Sequence, residues 1–391
     1  MPVQPAVRTM ELTVLMPCLN EADTVARCVR AARETLERLG IEGEVLVADN
    51  GSTDGSDRLA AEAGARVIRV AERGYGSALM AGIAAAKGRF VLMADADDSY
   101  DLTAMEPFIQ RLRAGADLVQ GCRLPAGGGR ILPGAMPWLH RWIGNPLFTW
   151  LGRWWFRTPV HDTNCGMRAF RKELIQRLDL RCTGMEFANE MLIKAALHGA
   201  RIEEVPVTLR PDGRRAHRPH LRTFRDGWRT LRFYLLFSPR WLFLAPGVGL
   251  LLAALGGWLA VLAGAEIGGR RLGLNAAIVA SMLGVAGYQS VLFALLTKAF
   301  AINEGLLPMD RRMARFFEVM TLERGLLAGG AALTLGLGLV AAVLFRWLPE
   351  AWTATTERAA ALVVVGSTAG ALGFQTVLFS FFASLLGMKR R

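Results

Sequence analysis

The sequence predicts an α/β domain followed by an α-helical transmembrane domain of four helices. Three observations carry that prediction. Up to Trp241, short apolar runs alternate with stretches of helical periodicity. Acidic clusters stand at the ends of those runs. Beyond Trp241 the charge thins out and the apolar runs lengthen. Short buried strands alternating with helices favour a parallel sheet covered by helices on its faces.

The elements follow in order. Leu12–Met16 is an apolar run ending at Pro17, and Glu21–Leu39 has helical periodicity. Glu44–Ala48 is a second run, followed by the turn-rich Asp49–Gly55 and another helical stretch. Arg66–Val70 is a third run, Gly76–Ala86 a small-residue helix and Phe90–Ala94 a fourth run. In such sheets ligands sit beyond the carboxyl ends of the strands. Three acidic clusters fall there: Asn20–Glu21, Asp49–Asp54 and Asp95–Asp98.

Four apolar runs, Leu242–Ala265, Asn275–Ala301, Leu326–Leu348 and Ala359–Leu386, each reach the ~20 residues needed to cross a bilayer. A buried helical bundle is the alternative, disfavoured by their length and lack of charge. Lys298 lies near one end of its span and can snorkel. The connection after the second span carries Arg311, Arg312, Arg315 and Arg324, and the chain ends Lys389-Arg390-Arg391. The loops after the first and third spans carry only Arg270, Arg271 and Arg358. The excess places the middle connection, the tail and the first domain in the cytosol, on an inner cell membrane. Thr223–Phe243 mixes aromatics and leucines with arginines, as in a helix lying in the head-group plane. The expected organisation is therefore a cytosolic domain over 1–222, interfacial helices over 223–241 and a transmembrane domain over 242–391. The spans allow a homo-oligomer as well as a simple anchor.

An apolar content of 52% is high for a soluble protein, in keeping with those spans. The formal net charge of +12 points to a membrane surface and phosphate-bearing ligands. Nucleic acid is not expected, because no nucleic-acid motif accompanies the charge. The five cysteines are odd in number, lack CxxC spacing and all precede the spans, so reduced thiols are expected rather than disulfides or zinc. The first residues contain no apolar core long enough for a signal peptide.

Asp95-Ala96-Asp97-Asp98 follows the fourth run. Two carboxylates at i and i+2 on a strand end can hold a hard divalent ion that keeps water and substrate phosphate oxygens as its other ligands. An acidic turn without a metal is the plainer reading of that tetrapeptide. Pro17-Cys18-Leu19-Asn20-Glu21 reads locally as a helix cap. Asp49 at a strand end can accept hydrogen bonds from ribose hydroxyls or a base edge, while Asp54 serves equally as a helix N-cap. Arg73-Gly74-Tyr75-Gly76-Ser77 is a glycine-rich turn without Walker or GxGxxG spacing, which disfavours a nucleoside triphosphatase or a dehydrogenase.

Taken in order, P-x-L-N-E, V-A-D-N-G-S-T-D, G-Y-G and D-A-D resemble the family 2 glycosyltransferases of GT-A (Rossmann-like) fold. Gly121-Cys122-Arg123, Asp162–Phe170 and Glu204-Val205-Pro206 resemble the dolichyl- or polyprenyl-phosphate branch of that family. The resemblance implies an inverting transfer of sugar from a UDP- or GDP-sugar to a polyprenyl phosphate, with Mg2+ or Mn2+ as cofactor. It implies metal and donor-diphosphate binding at Asp95 and Asp97, with Ser99 where relatives have a further ligand, usually Gln. Pro17, Leu19, Asn20, Glu21, Asp49, Asn50, Asp54, Gly76 and Ala96 would frame the nucleotide-sugar. Arg123 matches the arginine near the acceptor phosphate, with Arg168, Arg210 and Arg214 as further candidates. Asp162 would be a base or acceptor-orienting carboxylate, and Glu186 or Glu190 would close the acceptor site or form a surface ion pair. The alternatives are a polysaccharide synthase with a sugar acceptor, whose Q-x-x-R-W signature this chain lacks, and a non-catalytic transport or scaffold protein.

Overall fold

The computed structural model describes residues 10–214, 223–347 and 357–387. The expected basic tail Lys389–Arg391, Leu348 and the side chain of Arg358 lie outside the described residues. The chain divides into two compact units between Tyr234 and Leu235.

The first unit runs β1 (Leu12–Cys18), α1 (Val25–Arg38), β2 (Gly43–Asp49), α2 (Ser56–Glu62), β3 (Arg66–Arg69), α3 (Tyr75–Ala85) and β4 (Phe90–Met93). It continues with α4 (Glu106–Arg113), β5 (Leu118–Cys122), β6 (Arg130–Ile131), α5 (Asn145–Phe156), β7 (Arg168–Arg171) and α6 (Lys172–Leu178). Then come α7 (Phe187–Leu197), β8 (Ile202–Pro206), β9 (Thr208–Leu209) and α8 (Thr223–Leu236), the last crossing the division.

A seven-stranded sheet has the order β3-β2-β1-β4-β7-β5-β8. Along β1 the side chains alternate between two cores. Leu12, Val14 and Met16 pack with Val25, Val29 and Phe108 on one side, while Leu15 packs with Leu79, Ile83 and Phe187 on the other. Burial on both faces is why the strands read as continuous apolar runs. Removing a side chain as buried as Leu15 would cost about 2–5 kcal/mol.

The four expected strands and the helix over Gly76–Ala86 form within a residue or two of their expected ends. The first helix starts at Val25 rather than Glu21, because residues 21–24 make a turn closed by Thr24 N–H on the Glu21 carbonyl at 3.1 Å. Val25, Cys28, Val29, Ala32 and Leu36 then form its buried stripe. One expectation is corrected: the sheet is mixed, not wholly parallel. Strand β7 runs antiparallel between β4 and β5, pairing Met93 with Arg168 and Phe90 with Arg171. Its apolar stretch, Ala169-Phe170, is too short between arginines to announce a strand.

The second unit has α9 (Ala245–Leu262), a hairpin of β10 (Glu266–Ile267) and β11 (Arg270–Arg271), α10 (Leu274–Asn303), α11 (Arg311–Val319), α12 (Leu322–Trp347) and α13 (Glu357–Gly387). Among the described residues, four segments are long and apolar enough to cross a membrane: Arg240–Leu262, Leu274–Asn303, Leu322–Phe345 and Ala359–Gly387. Most of their surface stays outside any protein core, with Leu252, Leu327, Leu335 and Phe382 all exposed. That surface suits lipid contact and argues against a bundle buried in protein. Helices α12 and α13 approach closely through glycines, since a Cβ on Gly329 would lie 2.8 Å from the Gly373 carbonyl. Lys298 is ion-paired with Asp310.

Candidate active site

The carboxyl ends of β1, β2 and β4 converge, and their loops are knitted by short polar side chains. Asn20 sits at φ 58° and Asp98 at φ 63°, left-handed conformations that Asn and Asp tolerate best. Asn20 N–H donates to Ser52 Oγ at 2.9 Å, and Asn20 Oδ1 accepts Thr53 N–H at 2.8 Å. Asp49 accepts from the Gly51 and Ser52 amides, both at 3.2 Å. Asp54 accepts from the Ala22 and Ser56 amides, both at 3.0 Å. Asn50 ties down the glycine-rich turn, accepting Gly74 N–H and donating to the Glu72 carbonyl, both at 2.7 Å. Asn20, Asp49, Asn50 and Asp54 therefore shape the loops at the carboxyl ends of β1 and β2. Pro17 pairs with Ala48 one residue before the end of β1, and Leu19 follows directly after that strand. Gly76 is a packing glycine: a Cβ there would lie 2.2 Å from the Cys182 carbonyl.

The charge is carried by Glu21, Asp95 and Asp97. Asp95 Oδ1 accepts the Tyr75 hydroxyl at 3.1 Å, and Asp97 Oδ1 accepts Ser99 N–H at 3.0 Å. Ala96 between them is buried in the core. Burial, and then the neighbouring Asp97 charge, push the Asp95 carboxyl up to about 7.

Opposite these acids lies Arg214. Its Nε stands 2.9 Å from each Glu21 oxygen, its Nη2 2.6 Å from Oε1, and its Nη1 3.1 Å from Asp97 Oδ2. Residues 209–213 deliver it by running beside 97–100. Leu209 bridges Tyr100, Arg210 N–H donates to the Ser99 carbonyl at 2.9 Å, and Gly213 N–H donates to the Asp97 carbonyl at 2.8 Å. A Cβ on Gly213 would stand 2.8 Å from Cγ2 of the buried Thr24, so a side chain there would crowd α1. Arg214, read from the sequence as an acceptor-phosphate residue, thus sits among the acids read as the donor site. Arg210 is paired with Asp101.

A second charged cluster forms where β5 ends. Arg123 Nε and Nη2 meet Asp162 Oδ2 and Oδ1 at 2.7 and 2.9 Å, and Arg123 N–H donates to Oδ2 at 3.0 Å. Both groups are buried. Burial raises the Asp162 pKa, but the Arg123 charge and hydrogen bonds outweigh it and hold it below the usual carboxylate range. Asp162 is therefore an ionised clamp on Arg123. Tyr100 lies within electrostatic reach of both Asp95 and Arg123, which brings the two clusters together.

Glu204, beside this clamp, accepts the His161 and Asp162 amides and lies 2.7 Å from His161 Nδ1. Arg168 is fully buried and donates to the carbonyls of Cys165 and Ala188, so it belongs to the core. Glu190 is buried against Lys194 at 2.9 Å and accepts the Arg181 and Cys182 amides, fixing the segment that packs on Gly76. The Glu186 Oε2 atom is buried without a hydrogen-bond partner.

A cavity of about 660 Å³ opens next to the clamp, lined by Trp142, Trp150, Trp154, Arg141, Arg153 and His161 among others. Trp138, Trp142, Trp150 and Trp154 are all at least 49% exposed on the helical stretch 138–156. Sequence reading missed this feature, although the i, i+4 pairs Trp138/Trp142 and Trp150/Trp154 each signal one helix face.

Among the described residues, no group of three or more His, Cys, Asp or Glu side chains forms a closed metal cage. Asp95 and Asp97 nevertheless fit a hard divalent ion. They are oxygen donors two residues apart, in a cluster where Glu21, Asp97 and Asp212 face the single Arg214 guanidinium, and such ions complete their shell with water and phosphate.

The profile described as glycosyl transferase family 2 matches residues 13–179, and that of the glycosyltransferase family 2 C-terminal transmembrane region matches 295–387. The low-salt glycan biosynthesis hexosyltransferase Agl6 of Haloferax volcanii is 37% identical over 378 residues, covering 96% of this chain and 89% of that one. A dolichyl-phosphate hexose transferase of the same organism is 32% identical over 201 residues, covering 51% of this chain and 85% of that one. Among solved structures, glucosyl-3-phosphoglycerate synthase from Mycobacterium tuberculosis aligns with TM-score 0.47 and 22% identity, covering 60% of this chain and 85% of that one. With both profiles matched in order and a hexosyltransferase related along nearly its whole length, this chain belongs to glycosyl transferase family 2, as a multi-pass membrane glycosyltransferase.

Proposed function

We propose that this glycosyltransferase moves a hexose from a UDP- or GDP-sugar to a polyprenyl phosphate at the cytosolic face of the membrane. The observation that carries the reading is the pairing of an acidic donor cluster, Glu21, Asp95 and Asp97, with a separate cationic group, the Asp162-clamped Arg123, beside a tryptophan-lined cavity. An apolar cavity edged by Arg141 and Arg153 suits an acceptor that is anionic at one end and hydrocarbon at the other. The likeness to a dolichyl-phosphate hexose transferase supports the same acceptor class. The arginines of the connection between the second and third spans support the cytosolic orientation.

In this reading the Arg123 guanidinium binds the acceptor phosphate, and its planar fork fixes which oxygen faces the sugar. A phosphate monoester is already largely ionised near neutral pH, with a second pKa of about 6, so no side chain has to remove a proton. That agrees with Asp162 being engaged by Arg123 instead of free to act as a base. The phosphate oxygen attacks the anomeric carbon in line. The bond from that carbon to the diphosphate oxygen breaks, and the nucleoside diphosphate leaves. Asp95 and Asp97, with the Ser99 hydroxyl beside them, would hold a Mg2+ or Mn2+ ion, which when bound neutralises the leaving diphosphate. Positioning and charge stabilisation supply most of the acceleration.

The test uses the full chain in detergent with Mg2+ or Mn2+, polyprenyl phosphate and a panel of labelled nucleotide-sugars. One donor is expected to label the lipid, and Asp97→Ala to abolish both labelling and donor binding. If no donor labels the lipid and Asp97→Ala binds donor like the wild type, the reading is wrong.

A further inference from the structure

We propose that Arg214 is a built-in counter-cation of the donor site, which a divalent ion and the donor must displace from Asp97 together. This rests on Asp95 and Asp97 holding the metal, as argued above. The geometry is specific. The guanidinium is committed through Nε and Nη2 to Glu21, and its remaining nitrogen, Nη1, reaches Asp97 Oδ2. Asp97 Oδ1 accepts the Ser99 amide and Arg214 stands on Oδ2, so a metal that engages Oδ2 meets the guanidinium. All three side chains are nearly buried, at 12%, 5% and 11% exposure for Arg214, Glu21 and Asp97, so little water screens their charges.

A monovalent guanidinium and a divalent ion cannot share one carboxylate oxygen without strong repulsion. The metal must therefore push Arg214 away, and the cost falls on metal affinity. Among the described residues, the charges facing Arg214 are Glu21 and Asp97 in contact and Asp212 at 3.6 Å, with Asp95 within electrostatic reach. The segment leading to it is pinned at Arg210 and Gly213 by two backbone hydrogen bonds, so the side chain can swing while the backbone stays. A donor diphosphate gives the displaced guanidinium a new anion to bind. Metal and donor then relieve the same contact, and each strengthens the other's binding. A contact made only to neutralise Glu21 would not need Nη1 on Asp97.

The prediction is read from Mn2+ affinity, measured on the full chain in detergent by the free-Mn2+ resonance signal, with and without UDP or GDP. Wild type is expected to bind Mn2+ weakly alone and about tenfold or more tighter with one of the nucleotides. Arg214→Gln should bind Mn2+ about tenfold tighter than wild type without nucleotide, and gain little from adding it. Arg214→Lys, which keeps the positive charge, should stay weak. The double variant Glu21→Gln/Arg214→Gln leaves no orphaned partner in the buried pair and should also bind tightly, which guards against misfolding of the single variant. Arg214→Gln and the double variant binding no tighter than wild type, while Asp97→Asn loses Mn2+, would overturn the counter-cation and leave the metal site standing. Asp97→Asn binding Mn2+ like wild type would overturn both.

Discussion

Asp162 grips Arg123 through both carboxylate oxygens, Nε to Oδ2 at 2.7 Å and Nη2 to Oδ1 at 2.9 Å, in a nearly dry setting. Removing one partner of such a pair strands the other charge. Asp162→Ala is expected to lose about 3–5 kcal/mol of stability, measurable by denaturant unfolding of the first unit's signal in the full chain. A loss below about 1 kcal/mol, the range of exposed ion pairs, would contradict the buried clamp.

The same pair sets an acid limit. The Asp162 pKa is lower folded than unfolded, so its contribution is complete above the unfolded value of about 4. It is lost as pH falls through the still lower folded value. Wild-type thermal stability should drop below about pH 4, and Asp162→Asn should flatten that part of the profile. An unchanged profile in the variant would remove Asp162 from the acid transition.

Glu204 holds the backbone of His161 and Asp162 and the His161 ring together. Glu204→Gln should raise KM for polyprenyl phosphate several-fold while leaving the donor's KM near the wild-type value. A matching rise for the donor would mean that this carboxylate supports the whole cleft.

Gly76 leaves no room for a side chain beside the Cys182 carbonyl. Gly76→Ala should cost about 1–3 kcal/mol by overpacking and weaken nucleotide binding, read by thermal melting and by UDP or GDP titration. Wild-type melting would show that the 182–183 segment yields without cost.

Trp150 and Trp154 lie with ring centroids 4.9 Å apart and are half exposed. Replacing both with serine should change stability by no more than about 0.5 kcal/mol per site. It should raise KM for the lipid acceptor strongly, while a short-chain, water-soluble phosphate acceptor is barely affected. Equal loss with both acceptors would separate the tryptophans from the apolar chain.

Much of this was legible in the sequence. β1 to β4 declared themselves because strands buried on both faces must be apolar throughout, and the spans because lipid demands length without charge. Asp95 and Asp97 stand out in the sequence as candidates by their place just after β4. The arginines were harder. Arg123, Arg168, Arg210 and Arg214 look alike in one dimension, yet one is clamped by Asp162, one is core, one pairs with Asp101 and one reaches Glu21 across 193 positions of sequence. Such partners are set by strand order and by the path of 209–213, which no local pattern encodes. β7 escapes notice because only Ala169 and Phe170 are apolar in it, between two arginines.

The most direct test of the account is the phosphorus resonance of polyprenyl phosphate during turnover with the preferred donor. Transfer to the phosphate predicts that the monoester signal is replaced by a phosphodiester signal, in step with nucleoside diphosphate release and with no change for Asp97→Ala. Release of nucleoside diphosphate with the monoester signal intact, and the sugar recovered on a hydroxyl, would contradict it.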